Sequence, residues 1–307
     1  MIKDEGNNEI KKHAYLIMSH GNFKILKCLL ELIDDFRNDI FIHIDAKVQK
    51  FNFSLYESYC KVSRIFFIKN RVDVKWGGYE QVQVELNLFE EATSKRQYSY
   101  YHLISGVDLP LKTQNEIHDF FTAENKEFLF YRDVYSKWDY QRLSRYHLPR
   151  SWNSKFVSYF NIIQDRLEIN RFRKYGLQFR RGYNWCSLTD DAVRYILGKK
   201  GLIKRFCHAS VCADECYKQI ILFNSQFRDR LFINDSGESS DLRAVDWVRR
   251  NGDSPHIYTS EDYEILIQSE KMFARKFDEK IDIDIVNRIV SHVKEKKNCE
   301  DRNSNNL

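Results

Sequence analysis

The stretch Tyr100-Tyr101-His102-Leu103-Ile104-Ser105-Gly106-Val107-Asp108-Leu109-Pro110 constrains the fold more than any other. It begins as a buried strand, an apolar run of strand length rich in Tyr, Leu and Ile. It then stops at once: Ser-Gly breaks the run, Asp108 follows, and Pro110 forbids continuation as a central strand. A strand that ends in small residues and then a carboxylate places that carboxylate at its C-terminal edge. In open α/β sheets ligands bind at that edge. The same residues also suit a plain strand-to-loop turn with Asp108 as the turn former, so the rest of the chain decides.

Two earlier runs repeat the design. Ala14-Tyr15-Leu16-Ile17-Met18 ends in Ser19-His20-Gly21-Asn22, and Phe23, Leu26, Leu29, Leu30, Ile33 and Phe36 follow at helical spacing. Ile40-Phe41-Ile42-His43-Ile44 closes on Asp45. Strand–helix–strand is the opening of a nucleotide-binding α/β half. The chain has no G-x-G-x-x-G and no P-loop, which excludes dinucleotide and Walker-type phosphate cradles. After a short strand at 65–68 comes Trp76-Gly77-Gly78, directly before an amphipathic helix carrying Tyr79, Val82, Leu86 and Phe89. The glycines permit close backbone approach and Trp76 offers a flat face, although a core Trp would read the same way.

Further on, Phe128–Tyr131 and Gly182–Leu188 read as strands, and Thr189 caps a helix through Leu197. Helical spacing returns at 213–223. Asp214 and Glu215 stand at its start, where the macrodipole favours acids. Leu242–Trp247 reads as a last strand, with a helix near 260–270. Between 132 and 181 the periodicity is poor and arginines interleave with Trp138 and Trp152, as in a solvated surface or a binding wall. Residues 1–12 read as loose, 13–290 as one domain with 132–181 as an insert, and 291–307 as a polar tail that need not be ordered.

The charge balance, 49 basic against 44 acidic residues, gives a net +5 spread over a dense mixture. This is no nucleic-acid footprint. It fits an enzyme with an anionic ligand, or weak attraction to an anionic membrane face. The seven cysteines are odd in number and form no C-x-x-C, as expected of reduced thiols in a cytosolic protein. The polar start and the lack of any apolar stretch of about 18 residues predict neither a signal peptide nor a membrane span, hence a cytoplasmic setting.

Eight pieces then stand in a telling order: AYLIMSH at 14–20, IFIHID at 40–45, VDVKWGGYEQVQVELNLF at 72–89, YYHLISGVDLPLKT at 100–113, RGYNWCSLTDDAVRYIL at 181–197, ADECYKQIIL at 213–222, LRAVDW at 242–247 and FARKFD at 273–278. Together they resemble the core-2/I-branching glycosyltransferases, a family of animal branching β-1,6-N-acetylglucosaminyltransferases, peptide xylosyltransferases and bacterial relatives. This chain looks like a bacterial-type member.

The resemblance implies a GT-A, Rossmann-like α/β fold with a mostly parallel central sheet flanked by helices. It implies inverting transfer from a UDP-sugar without a divalent metal, most simply UDP-N-acetylglucosamine, to a glycan or lipid-linked glycan acceptor in surface-polysaccharide synthesis. Glu215 maps to the family's catalytic base. Arg243 and Lys276 map to its diphosphate-binding cations, taking the charge that a metal usually carries. Beside these, Asp45 and His20 would meet the nucleotide, and Asp108, Trp76 and Trp185 the donor sugar or the acceptor. Three other readings stay open: a UDP-xylose donor, a metal-dependent transferase using Asp45 and Asp108, and a catalytically silent nucleotide- or glycan-binding protein on the same fold.

Overall fold

The computed structural model describes residues 11–148, 152–252 and 254–304. The expected loose segment 1–10 and the last three residues of the expected tail lie outside them. A six-stranded sheet forms the centre, in the order β3 (Arg64–Phe67), β2 (Asn38–Ile44), β1 (His13–Ser19), β4 (Tyr100–Ser105), β7 (Arg181–Thr189), β6 (Phe128–Arg132). The first four strands are parallel; β7 runs antiparallel to both β4 and β6. Both faces are covered, which is why the parallel strands read as unbroken apolar runs. Along β1, Ala14 and Leu16 enter one core, and Tyr15 and Ile17 the other.

Helices α1 (Phe23–Ile33), α2 (Phe53–Glu57), α3 (Tyr79–Lys95) and α4 (Gln114–Ala123) follow the early strands. The leucines predicted at helical spacing in α1 are buried, as are Val82, Leu86 and Phe89 of α3. Thr113 caps α4 and Thr189 caps α7 (Asp190–Gly198), each through a side-chain oxygen that accepts a backbone N–H. The insert, expected to be irregular, holds two helices, α5 (Lys137–Ser144) and α6 (Ser154–Arg166). After α8 (Lys200–Cys207), the segment at 213–223 is not one helix. Ala213–Glu215 is a single 3-10 turn, and α9 (Tyr217–Phe223) starts after Cys216.

A small second sheet joins three short pieces: β5 (Leu109–Pro110), β9 (Phe273–Arg275) and β8 (Arg243–Val245). Pro110 sits in its edge strand, opposite Phe273, and Leu109 lies opposite Ala274. The sheet therefore carries the FARKFD segment to the end of β4.

The stretch from 291 onward is a correction. Together with the residues before it, it forms α11 (Asp284–Ser304), which follows α10 (Tyr263–Ile267). Ile285, Val286, Ile289 and Val293 keep helical spacing and are buried in the core shared with α1. Beyond Val293 the polar residues are tethered: Lys294 to Glu31 and Lys296 to Glu116, while Glu300 accepts from Thr113 and Asn115. Lys12, read as loose, is buried in an ion pair with Asp39 at 2.8 Å.

Candidate functional site

The register of β7 makes the cleft. Its pairing with β4 ends at Cys186, while Arg181 and Gly182 pair with β6. Residues 181–185 therefore run on past the C-terminal ends of the parallel strands and wall that edge. Gly182 is required here: a Cβ would fall 1.7 Å from the Phe130 carbonyl oxygen. The resulting cleft has a volume of about 720 Å³. Six of the eight residues singled out in the sequence line it: His20, Asp45, Trp76, Trp185, Glu215 and Lys276.

The other two lie outside the lining. Asp108 is fully buried and accepts hydrogen bonds from the Ser105 amide (3.0 Å) and hydroxyl (2.6 Å). Arg243 is also buried; its guanidinium donates to the Cys186 carbonyl (2.7 Å), the Leu103 carbonyl (3.3 Å), the Ser187 hydroxyl (3.1 Å) and the Asp241 carbonyl. It thus ties β4 to β7 beneath the cleft.

Glu215 is held from one side. Arg142 Nη1 donates to its Oε2 at 2.6 Å, and Arg181 donates to the same oxygen through Nε (3.1 Å) and Nη2 (2.8 Å). Asp139 closes the array, 3.1 Å from Arg181 and 3.8 Å from Arg142. Burial would raise the Asp139 carboxyl, but bonds from Ser136 and the two guanidiniums bring it below its ordinary value. Such charge-assisted bonds fix a carboxylate's orientation.

Behind Glu215 lies a buried polar cluster. Lys218 pairs with Glu85 and donates to the Asp214 carbonyl at 3.1 Å; Tyr217 and Asn184 also donate to Glu85. Lys218 meets the Glu85 carboxylate directly and Asp214 only through its backbone carbonyl, so it acts on the Asp214 carboxyl by charge alone. Asp214 accepts only from Gln81 at 3.2 Å, and its Oδ1 is buried without a hydrogen-bond partner. Burial, with the charges of Glu85 and Glu215 nearby, pushes the Asp214 carboxyl up to about 8.

The loop before α3 docks on this turn. Gly77 has φ +71°, its N–H donates to Gln81 at 2.6 Å, and its carbonyl accepts from the Cys212 N–H at 2.8 Å. A Cβ there would lie 3.2 Å from the Cys212 sulfur. The Trp76-Gly77 pair thus places Trp76, 54% exposed, at the cleft beside the Asp214-Glu215 turn.

The cationic part of the cleft comes from β9. Lys276 reaches Ser254 at 3.3 Å. Burial and the neighbouring Arg275 both lower its pKa. Arg275 lies 4.3 Å over the Trp185 ring and 3.8 Å from Asp108, and its Nη1 is buried with no hydrogen-bond partner. Arg275 lines the cleft, and its guanidinium is a fixed positive charge suited to an anion. Asp45 accepts from the Lys47 amide at 2.8 Å and pairs with its ammonium at 3.1 Å. Although burial would raise it, these bonds hold it below the usual carboxylate range. His20 is exposed at the same edge. Tyr183 and Trp247 stack there at 5.6 Å, with Tyr183 backed by Phe130 at 4.4 Å. Among the described residues no group of three or more His, Cys, Asp or Glu side chains is disposed to hold a metal ion.

Sequence reasoning missed Arg142, Arg181, Asp214, Arg275, Tyr183 and Trp247 as site residues. Arg275 had a signal: it neighbours Lys276 in the FARKFD piece. Arg142 had none, lying 73 residues from Glu215 in a stretch without periodicity.

Comparison with known proteins accords with this geometry. A Sus scrofa protein named Probable beta-1,3-galactosyl-O-glycosyl-glycoprotein beta-1,6-N-acetylglucosaminyltransferase 7 is 30% identical over 106 residues, 34% of this chain and 25% of that protein. Xylosyltransferase oxt of Drosophila pseudoobscura pseudoobscura is 22% identical over 262 residues, 78% of this chain and 28% of its own length. The chain thus spans about a quarter of the length of these curated relatives. Among solved structures, mouse xyloside xylosyltransferase 1 aligns over 87% of this chain and 97% of its own, at 9% identity and a TM-score of 0.38, too low to weigh. The family model described as Core-2/I-Branching enzyme matches residues 13–271, and this chain belongs to that family.

Proposed function

We propose that the cleft transfers a sugar from a UDP-sugar to a glycan hydroxyl, with inversion and without a divalent metal. N-acetylglucosamine is the sugar put first, with xylose second; both occur in the names of the relatives. The acceptor would belong to a surface polysaccharide assembled on the cytoplasmic side. The observation that carries the reading is one carboxylate and two cations on the same cleft: Glu215, Lys276 and Arg275. In a single displacement the carboxylate removes the acceptor hydroxyl's proton as its oxygen attacks the anomeric carbon. The leaving diphosphate develops charge that fixed cations stabilise. Lys276 and Arg275 meet that charge at the cleft, and Arg243 adds positive potential from beneath. Asp45 and His20 would meet the nucleotide. Trp185 and Trp76 would shape the sugar subsites, and Asp108 acts by holding the Ser105 loop beside Arg275.

The test is a panel of UDP-sugars incubated with the protein in EDTA, read as UDP release. Release from one donor supports the reading. Turnover that appears only when manganese is added would refute metal independence. A second reading rests on the two arginines that already occupy Glu215 Oε2, an arrangement that equally suits a silent nucleotide- or glycan-binding protein. Tight UDP-sugar binding with no turnover on any acceptor would select it.

A further inference from the structure

Helix α6 is exposed on the wrong face for a soluble helix. Its one buried side chain is Gln164, which is bonded to both the amide and the carbonyl of Tyr146. Its acid, Asp165, pairs with Arg145. Val157 and Phe160 are partly buried on the same side, while other apolar side chains face solvent. Phe156, Tyr159, Ile163 and the C-cap residue Leu167 follow one another at spacings of three, four and four, one stripe on the helix, with Trp152 just before its N-cap. In that order they are 49%, 63%, 37%, 66% and 49% exposed. Scattered exposed apolar residues need no explanation, but a contiguous stripe marks an interaction surface.

We propose that this face of α6 docks on an anionic lipid bilayer. The charge pattern selects that occupant. Lys155 and Arg166, both exposed, fall on one flank of the stripe. Residues 152–174 carry five basic side chains against two acidic ones, and one of those acids is already paired with Arg145. An apolar stripe with a basic flank and with Trp and Tyr among its members is the composition of an interfacial helix. A second copy would bring like charges together across the interface, which is unfavourable. The helix is tied to the end of α5, the helix that carries Arg142, through the Asp165–Arg145 ion pair. Docking there would hold the chain at a lipid surface that presents a lipid-linked acceptor; only this last step rests on the proposed transferase reading.

The experiment is flotation of the full chain with phosphatidylcholine vesicles, with and without about one third phosphatidylglycerol. Binding to the anionic vesicles is expected to exceed binding to the neutral ones at least about tenfold and to weaken at high salt. The triple variant Phe156→Glu/Tyr159→Glu/Ile163→Glu, on exposed positions, should keep the thermal midpoint and lose flotation. Lys155→Glu/Arg166→Glu should lower anionic binding at least about tenfold. Equal flotation of the triple variant, no preference for anionic vesicles, or a wild-type dimer that the triple variant makes monomeric would each overturn the proposal. None of these readouts depends on sugar turnover.

Discussion

Asp214 is buried near a second buried carboxyl, Glu85, so replacing it with the neutral isostere asparagine should change stability in a pH-dependent way. Burial and the nearby charges of Glu85 and Glu215 push its carboxyl up to about 8, well above the ordinary carboxylate range. A carboxyl with a raised folded pKa binds its proton more tightly in the folded state. Its contribution to stability is complete below the unfolded pKa and is lost as pH rises through the folded one. Between about pH 5 and about pH 7.5 each pH unit removes about 1.36 kcal/mol, so wild type loses about 3 kcal/mol that Asp214→Asn does not lose. The assay is urea unfolding of both proteins at the two pH values. The difference of differences cancels titrating groups remote from residue 214 and any fixed cost of the amide, leaving Asp214 together with the carboxyls of Glu85 and Glu215 that interact with it. The variant should gain about 2–3 kcal/mol on wild type across the interval. Parallel stability curves would refute the raised Asp214 pKa and the uncompensated burial of its carboxyl.

Arg142→Ala and Arg181→Ala should each lower kcat by about tenfold to a hundredfold while leaving UDP binding unchanged, because they orient the base and do not meet the nucleotide; single-turnover kinetics beside UDP titration separates the two. Lys276→Ala and Arg275→Ala should weaken UDP binding by about tenfold or more in calorimetry. Arg243→Ala should instead cost about 3–5 kcal/mol of stability, since it strands Asp241 and the carbonyls of Leu103 and Cys186. Gly77→Ala should destabilise by about 1 kcal/mol or more, since it forces a side chain into positive φ against Cys212, and should lower turnover by moving the Asp214-Glu215 turn.

The central sheet was legible because its parallel strands are buried on both faces and so appear as uninterrupted apolar runs. The strand ends were legible because polar or small residues interrupt those runs at His20, Asp45 and Ser105. Depth was not. Asp108 ends its strand as expected, yet the turn at Ser105 folds its carboxylate inward, and nothing in the local sequence distinguishes that from an outward one. Arg243 stands in a short strand whose register with β9 aims it under the sheet's end, a tertiary fact. Of the arginines on Glu215, Arg142 comes from an insert helix that buries little, so no periodicity announced it, and Arg181 opens β7, where only the strand's register turns it toward Glu215. The C-terminal helix was misread because a polar composition hid a narrow seam of four apolar residues at helical spacing.

The most direct test of the account is turnover of Glu215→Gln in EDTA with the UDP-sugar that wild type uses. The amide keeps the size and the cleft position of the side chain but cannot accept a proton as a base. The account predicts turnover reduced by at least about a hundredfold with UDP affinity within about twofold of wild type. Turnover comparable to wild type would contradict it and remove Glu215 from the chemistry.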